Sequence, residues 1–161
     1  MCTITVVNAL IGILTVLIFT EVSSNMLGEK LGQIVGPVKT SVLPANGPNP
    51  RFENSVEGSG TLAGVDVNCM STFTSEMQSD GSLYGECPNQ GVIMTQTGEV
   101  ATFKVTGVGK FNSEGGIDFG GVVYFRTSTT ALESLNAVAV VYTFKVDANN
   151  ISTWDLWEWK Y

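Results

Sequence analysis

Between Glu99 and Phe111 the side chains alternate with a period of two. Glu99, Ala101, Phe103, Val105, Gly107, Gly109 and Phe111 fall on one face, and Thr102, Lys104, Thr106 and Lys110 on the other. A half-buried antiparallel strand requires this pattern, because successive side chains point to opposite sides of a sheet. Such runs recur along most of the chain. Val35 to Leu43 predicts a first strand interrupted at Pro37, after a glycine-spaced lead-in from Gly28. Pro44 to Pro50 predicts a loop, since three prolines and a glycine sustain neither ladder. Phe52 to Leu62 and Val65 to Gln78 predict the second and third strands, and Ser79-Asp80-Gly81-Ser82 a tight hairpin turn.

Leu83 to Gln96 predicts a fourth strand, broken near Cys87-Pro88-Asn89 because proline removes a ladder donor. Thr97-Gly98 turns into the fifth, Glu99 to Phe111. In the sixth, Ile117, Phe119, Gly121, Val123 and Phe125 share a face. Thr129 to Asn136 predicts one or two helical turns, with Leu132 and Leu135 spaced i, i+3. Ala137 to Asp147 is the seventh strand, with Val138, Val140, Tyr142, Phe144 and Val146 inward, and Ile151 to Lys160 the eighth. Eight long strands joined by tight turns predict an all-β fold, an antiparallel up-and-down barrel whose closure removes exposed edges. A two-sheet sandwich is the alternative.

Organisation follows in three parts. Residues 1–25 form an apolar leader, expected to be helical; 26–50 hold the lead-in strand and proline-rich loop; 51–161 hold the main part of the barrel. No charged side chain occurs from Met1 to Thr20. The leader reads as a secretory signal, a short membrane anchor, or an extension upstream of a start at Met26. A membrane-anchored or secreted protein follows from the first two, with membrane contact through residues 1–22, and a cytoplasmic one from the third.

Composition narrows the chemistry. The net charge of −7 with only eight basic residues argues against nucleic acid, which needs clustered Lys and Arg. The chain has no histidine, which removes histidine-based metal sites and Ser-His-Asp or Cys-His catalysis. No metal or cofactor is expected. Of the three cysteines, Cys2 lies in the leader. A two-residue turn at Asp80-Gly81 would set Cys69 opposite Val92 and Cys87 opposite Thr74. That offset of roughly 17 Å along a strand leaves free, partly buried thiols. One sequon, Asn150-Ile151-Ser152, falls in a predicted turn.

Tyr84-Gly85-Glu86, followed past the break by Gln90-Gly91-Val92, is the most suggestive segment. Tyr84 and Glu86 share a face. Inside an apolar barrel they would hold a carbonyl or protonate a substrate, burial raising the acid's pKa; facing water, Glu86 would be an ordinary surface charge. At the C-terminus four aromatics fall within eight residues. Trp157 and Trp159 share one face and Trp154 and Leu156 the other. One set is core, and the other a partner surface or a cover for a barrel edge.

Residues 26–160 resemble a group of small, uncharacterised microbial β proteins. The resemblance rests on Met26-Leu27-Gly28-Glu29-Lys30-Leu31-Gly32, Ser79-Asp80-Gly81-Ser82-Leu83-Tyr84-Gly85-Glu86, Gln90-Gly91-Val92-Ile93-Met94-Thr95 and Gly107-Val108-Gly109-Lys110-Phe111. It continues through Leu135-Asn136-Ala137-Val138-Ala139 and Trp157-Glu158-Trp159-Lys160. It implies a barrel and a start near Met26, and brings no activity. In that group the Tyr-Gly-Glu and Gln-Gly pieces are nearly contiguous, whereas Cys87-Pro88-Asn89 lengthens the junction here. The architecture is also similar, by analogy alone, to lipocalin-like and allene-oxide-cyclase-like barrels.

Three functions follow as expectations. The first is a noncatalytic barrel binding a small apolar molecule or a protein partner, with Phe103, Phe119, Phe125, Tyr142, Phe144 and Gln90 as candidate ligand-binding residues. The second is a cyclase or isomerase using Tyr84 and Glu86 as catalytic residues. The third is a membrane-tethered or assembled extracytoplasmic subunit.

Overall fold

A computed structural model describes residues 26–161. The expected leader, its helix and its membrane contact lie outside the described residues. Eight antiparallel strands follow one another in chain order around a closed ring. They are β1 (Leu27–Asn46), β2 (Asn49–Leu62), β3 (Val65–Met77), β4 (Leu83–Thr95), β5 (Val100–Phe111), β6 (Ile117–Thr127), β7 (Val140–Val146) and β8 (Ile151–Trp159). β8 pairs with β1, so Gln33 meets Asp155 and Ile34 meets Trp154. The sandwich alternative is thereby excluded.

Alternation along each strand builds the interior. Ala101 and Phe103 of β5, Phe119, Val123 and Phe125 of β6, and Val140, Tyr142, Phe144 and Val146 of β7 are all buried. Trp154 and Leu156 are the core pair of β8, while Trp157 and Trp159 are half-buried on the outer wall. Phe111 departs from its expected face: at the end of β5 it is exposed.

One end of the barrel is plugged. Thr130–Ala137 forms a 3₁₀ helix between β6 and β7, and its Leu132 and Leu135 are fully buried in the core. Asn136 fixes it to the end of β6, its Oδ1 accepting from the Thr127 N–H and its Nδ2 donating to the Thr127 carbonyl, both at 2.9 Å. Towards the opposite end lies a polar chain, in which Thr40 donates to Asn54 Oδ1 and Asn54 Nδ2 donates to Ser75.

The lead-in from Leu27 is itself a barrel strand, and the expected loop at Pro44 to Pro50 is mostly ladder, closed by a turn at Gly47 and Pro48. The prolines lie where donors are not needed: pairing lapses between Leu43 and Asn46. The β3–β4 turn is also wider than two residues. Gln78 N–H donates to the Ser82 carbonyl, and Met77 pairs with Leu83. Opposed residues share a face, so the odd-numbered inward positions of both strands demand this register. Cys69 therefore meets Ile93 rather than Val92, and Glu86 rather than Cys87 meets Thr74.

The expected break in β4 is a large bulge. β3 pairing lapses between Ser71↔Gly91 and Thr74↔Glu86, and β5 pairing between Cys87↔Val105 and Gly91↔Phe103. Pro88, Asn89 and Gln90 of β4 thus oppose Lys104 alone, two residues more than a regular ladder holds. Asn89 takes a φ of +73°, a conformation asparagine tolerates better than most residues.

Candidate functional site

Beside the bulge the lumen keeps a cavity of about 50 Å³. Its wall is mainly aromatic and aliphatic, with Phe73, Phe103, Phe119, Tyr142, Phe144 and Trp154 contributing rings. These rings pack edge-on and tilted. Phe103 lies 5.2 Å from Trp154 between ring centroids, and Tyr142 lies 6.0 Å from Trp154 at 84°. Phe73 bridges Phe119 and Phe144 at 6.3 and 5.8 Å. Such geometries suit the ring quadrupole and hold the wall in place.

Glycine makes room for the rings. A Cβ on Gly91 would fall 2.1 Å from Cζ of Phe103, and one on Gly107 would fall 2.2 Å from the Tyr142 hydroxyl. Gly91 on β4 is paired directly with Phe103 on β5, whereas Gly107 on β5 receives Tyr142 from β7, across the intervening Gly121 of β6.

Besides the exposed Glu86, three titratable side chains line the cavity, and burial drives each of the three towards its neutral form. Burial, then the nearby Cys87, pushes the Cys69 thiol up to about 12. Burial raises Cys87 too, against an opposing hydrogen bond to its sulfur from the Gln90 backbone. Tyr142 is raised by burial and by Cys87. At neutral pH the site therefore holds two thiols and a phenol, all protonated. Both thiols are free and buried. Among the described residues no group of three or more metal-ligating side chains gathers.

Two polar hydrogens in this wall are poorly used. The Tyr142 hydroxyl reaches the Thr106 carbonyl only at 3.5 Å, at the limit of a hydrogen bond. Trp154 Nε1 is buried with no hydrogen-bond partner. An orphaned buried donor is uncommon and costs roughly 1–3 kcal/mol.

The expected residues divide. Phe103, Phe119, Tyr142 and Phe144 line the cavity, and Phe125 packs behind it against Phe103 and Trp154. Gln90 is exposed on the bulge and is absent from the cavity wall. Tyr84 and Glu86 do not meet in an apolar interior. Gly85 and Cys87 take the inward positions, so the alternation turns both neighbours outward. Tyr84 is 41% exposed and pairs with Val108, while Glu86 borders the cavity but remains exposed opposite Thr106. The proposed acid in a low-dielectric pocket is therefore overturned. Sequence reasoning missed Trp154, Phe73, Cys69 and Cys87 as site residues; alternation in β8 separated Trp154 and Leu156 from Trp157 and Trp159 without saying which pair faces inward.

No protein-family description matches the chain, and no curated protein is similar to it. Solved structures do share its fold. A conserved protein of unknown function from Rhodopseudomonas palustris superposes with a TM-score of 0.69 at 12% identity, covering 82% of this chain and 97% of its own. A β-barrel-like protein from Acinetobacter baumannii gives 0.69 at 13%, over 83% and 95%. A protein with unknown function from Clostridium acetobutylicum gives 0.70 at 11%, over 82% and 97%. The fold is that of uncharacterised bacterial β-barrel proteins. At such identities the likeness extends to architecture alone.

Proposed function

We propose that the protein is a noncatalytic barrel that takes up one small, neutral, mostly apolar molecule in its lumen. The observation that carries this is a ring-lined void within the barrel interior. Protein cores close-pack to crystal density and leave few voids larger than water. Here glycines are placed so that rings surround a space instead of collapsing into it. The volume of about 50 Å³ admits roughly three or four water-sized groups, so the ligand is small. A charged ligand is disfavoured, because no cation lines the cavity and the only carboxylate at its border is exposed.

Titration with small neutral solutes tests the proposal by NMR. Saturable shifts are expected at Ile34, Val56 and Val105, which line the cavity, and none at Leu132 or Leu135 in the plug. Absence of any saturable lumen shift would overturn it.

The outer wall supports a second reading, a protein partner. Tyr84 and Val108 are exposed cross-strand neighbours, and Tyr124 stands exposed two strands along. Substituting Tyr84 and Tyr124 by Lys would abolish such an association and leave lumen binding unchanged.

A further inference from the structure

The polar side of the cavity says what kind of molecule fits. Trp154 Nε1–H is buried and unpartnered, and Trp154 lines the void. Tyr142 lines it too, and its hydroxyl has only the long contact with the Thr106 carbonyl. The two rings meet edge to face with centroids 6.0 Å apart, so the two side chains stand on one side of the lumen. Acceptors on the wall are the Ser71 and Ser152 hydroxyl oxygens, the latter giving its own proton to the Gly36 carbonyl at 2.8 Å, the carboxylate of Glu86 at the border, and thiol sulfurs, which accept only weakly.

Given a lumen that takes up small molecules, we infer that it selects those with a hydrogen-bond acceptor, a carbonyl oxygen above all, received by Trp154 Nε1–H and Tyr142 O–H. The apolar remainder of the ligand lies against Phe103 and its neighbouring rings. A site built to donate rejects an analogue that cannot accept, because the buried donor is then left unpaired. A ligand offering only donors gains nothing from the indole N–H, which cannot accept. An ordered water is the natural competitor, since it also accepts from both.

Acetone and isobutene make the test, being alike in shape and differing only by an oxygen in place of a methylene group. Each is titrated into isotope-labelled protein, reading the indole N–H signals of Trp154, Trp157 and Trp159 together with the Val105 methyls. Acetone is expected to bind at least about tenfold more tightly than isobutene and to shift the Trp154 indole signal alone among the three. Tyr142→Phe removes one hydroxyl and is expected to weaken acetone about fivefold without changing isobutene. Trp154→Phe, read at Val105, is expected to bring the two probes within about twofold.

Equal binding of both probes, or an unmoved Trp154 indole signal as acetone saturates the lumen, would overturn the inference while leaving the lumen a binding site. An ordered water on Trp154 Nε1 that acetone fails to displace would do the same. Failure of both probes to give saturable shifts would instead remove the binding site itself.

Discussion

The plugged end of the barrel and the bulged half beside β3, β4 and β5 are built on different terms. At the plug, Leu62, Ile93, Leu132, Leu135, Val140 and Leu156 are aliphatic and essentially inaccessible, with no polar side-chain atom among them. In the bulged half, rings lean over glycines, two thiols and a phenol are held neutral, and an indole N–H lacks a partner. The first arrangement is what stability alone favours. The second sacrifices packing and hydrogen bonding in one place, and such local breaches of consistency are where function is expected. The ladder is interrupted on both sides of Cys87 to Gly91, in the wall of that same half.

The largest contrast comes from cavity creation at the plug. Leu132→Ala is expected to cost about 2–5 kcal/mol in denaturant unfolding, since a fully buried side chain leaves a void that cannot collapse. A loss under about 1 kcal/mol would mean that the helix is not part of the core. Alkaline pH strikes the other half. The folded Cys69 keeps its proton up to about pH 12, whereas the unfolded thiol releases it near 9. The unfolded state then binds fewer protons, so stability is intact below about pH 9 and falls as pH rises towards 12. The slope is about 1.4 kcal/mol per pH unit for one thiol, and Cys87 and Tyr142 act in the same direction. Cys69→Ala should flatten the alkaline limb; an unchanged limb would show that this thiol is not buried.

A smaller effect tests the ring-over-glycine wall. Gly91→Ala is expected to destabilise by about 1–3 kcal/mol, because its Cβ collides with Phe103, and Phe103→Leu in the same chain should recover part of that loss. Purely additive losses would contradict the contact. The smallest effect belongs to the outer wall, which neither half depends on. Lys30 meets Asp155 at 2.6 Å, and Lys30→Met should cost less than about 1 kcal/mol, diminishing in high salt. Burial opposes ionisation of Asp155, but hydrogen bonds from Lys30 and Gln33 outweigh it and hold the carboxyl below its usual range. That contribution is present above the ordinary carboxylate pKa and fades as pH falls; a loss on acidification as steep in Lys30→Met as in the native protein would sink it.

Strand order and closure were legible because alternation survives at nearly every inward position, from Val67 and Cys69 to Trp154 and Leu156. The break at Cys87-Pro88-Asn89 was legible because proline lacks a donor. Pro44 to Pro50 misled for the same reason: counting prolines shows that donors are missing, but not that the ladder has no use for them there. Tyr84 and Glu86 drew attention because they are large and polar, while Gly85 and Cys87, which carry the inward face, are inconspicuous. The site was the least legible part. Alternation puts Trp154 with Leu156 on one face of β8, but that this face is the inner one, and that its N–H lacks a partner, depends on the other strands arriving around it.

A xenon-pressurised crystal tests most directly the claim that void and filling are segregated between the two halves. Xenon seeks apolar cavities without requiring a hydrogen bond. A single site is expected, enclosed by Phe103, Tyr142 and Trp154, with none beneath Leu132 and Leu135. Xenon under the 3₁₀ helix, or a ring-lined region too tightly filled to admit it, would contradict the account.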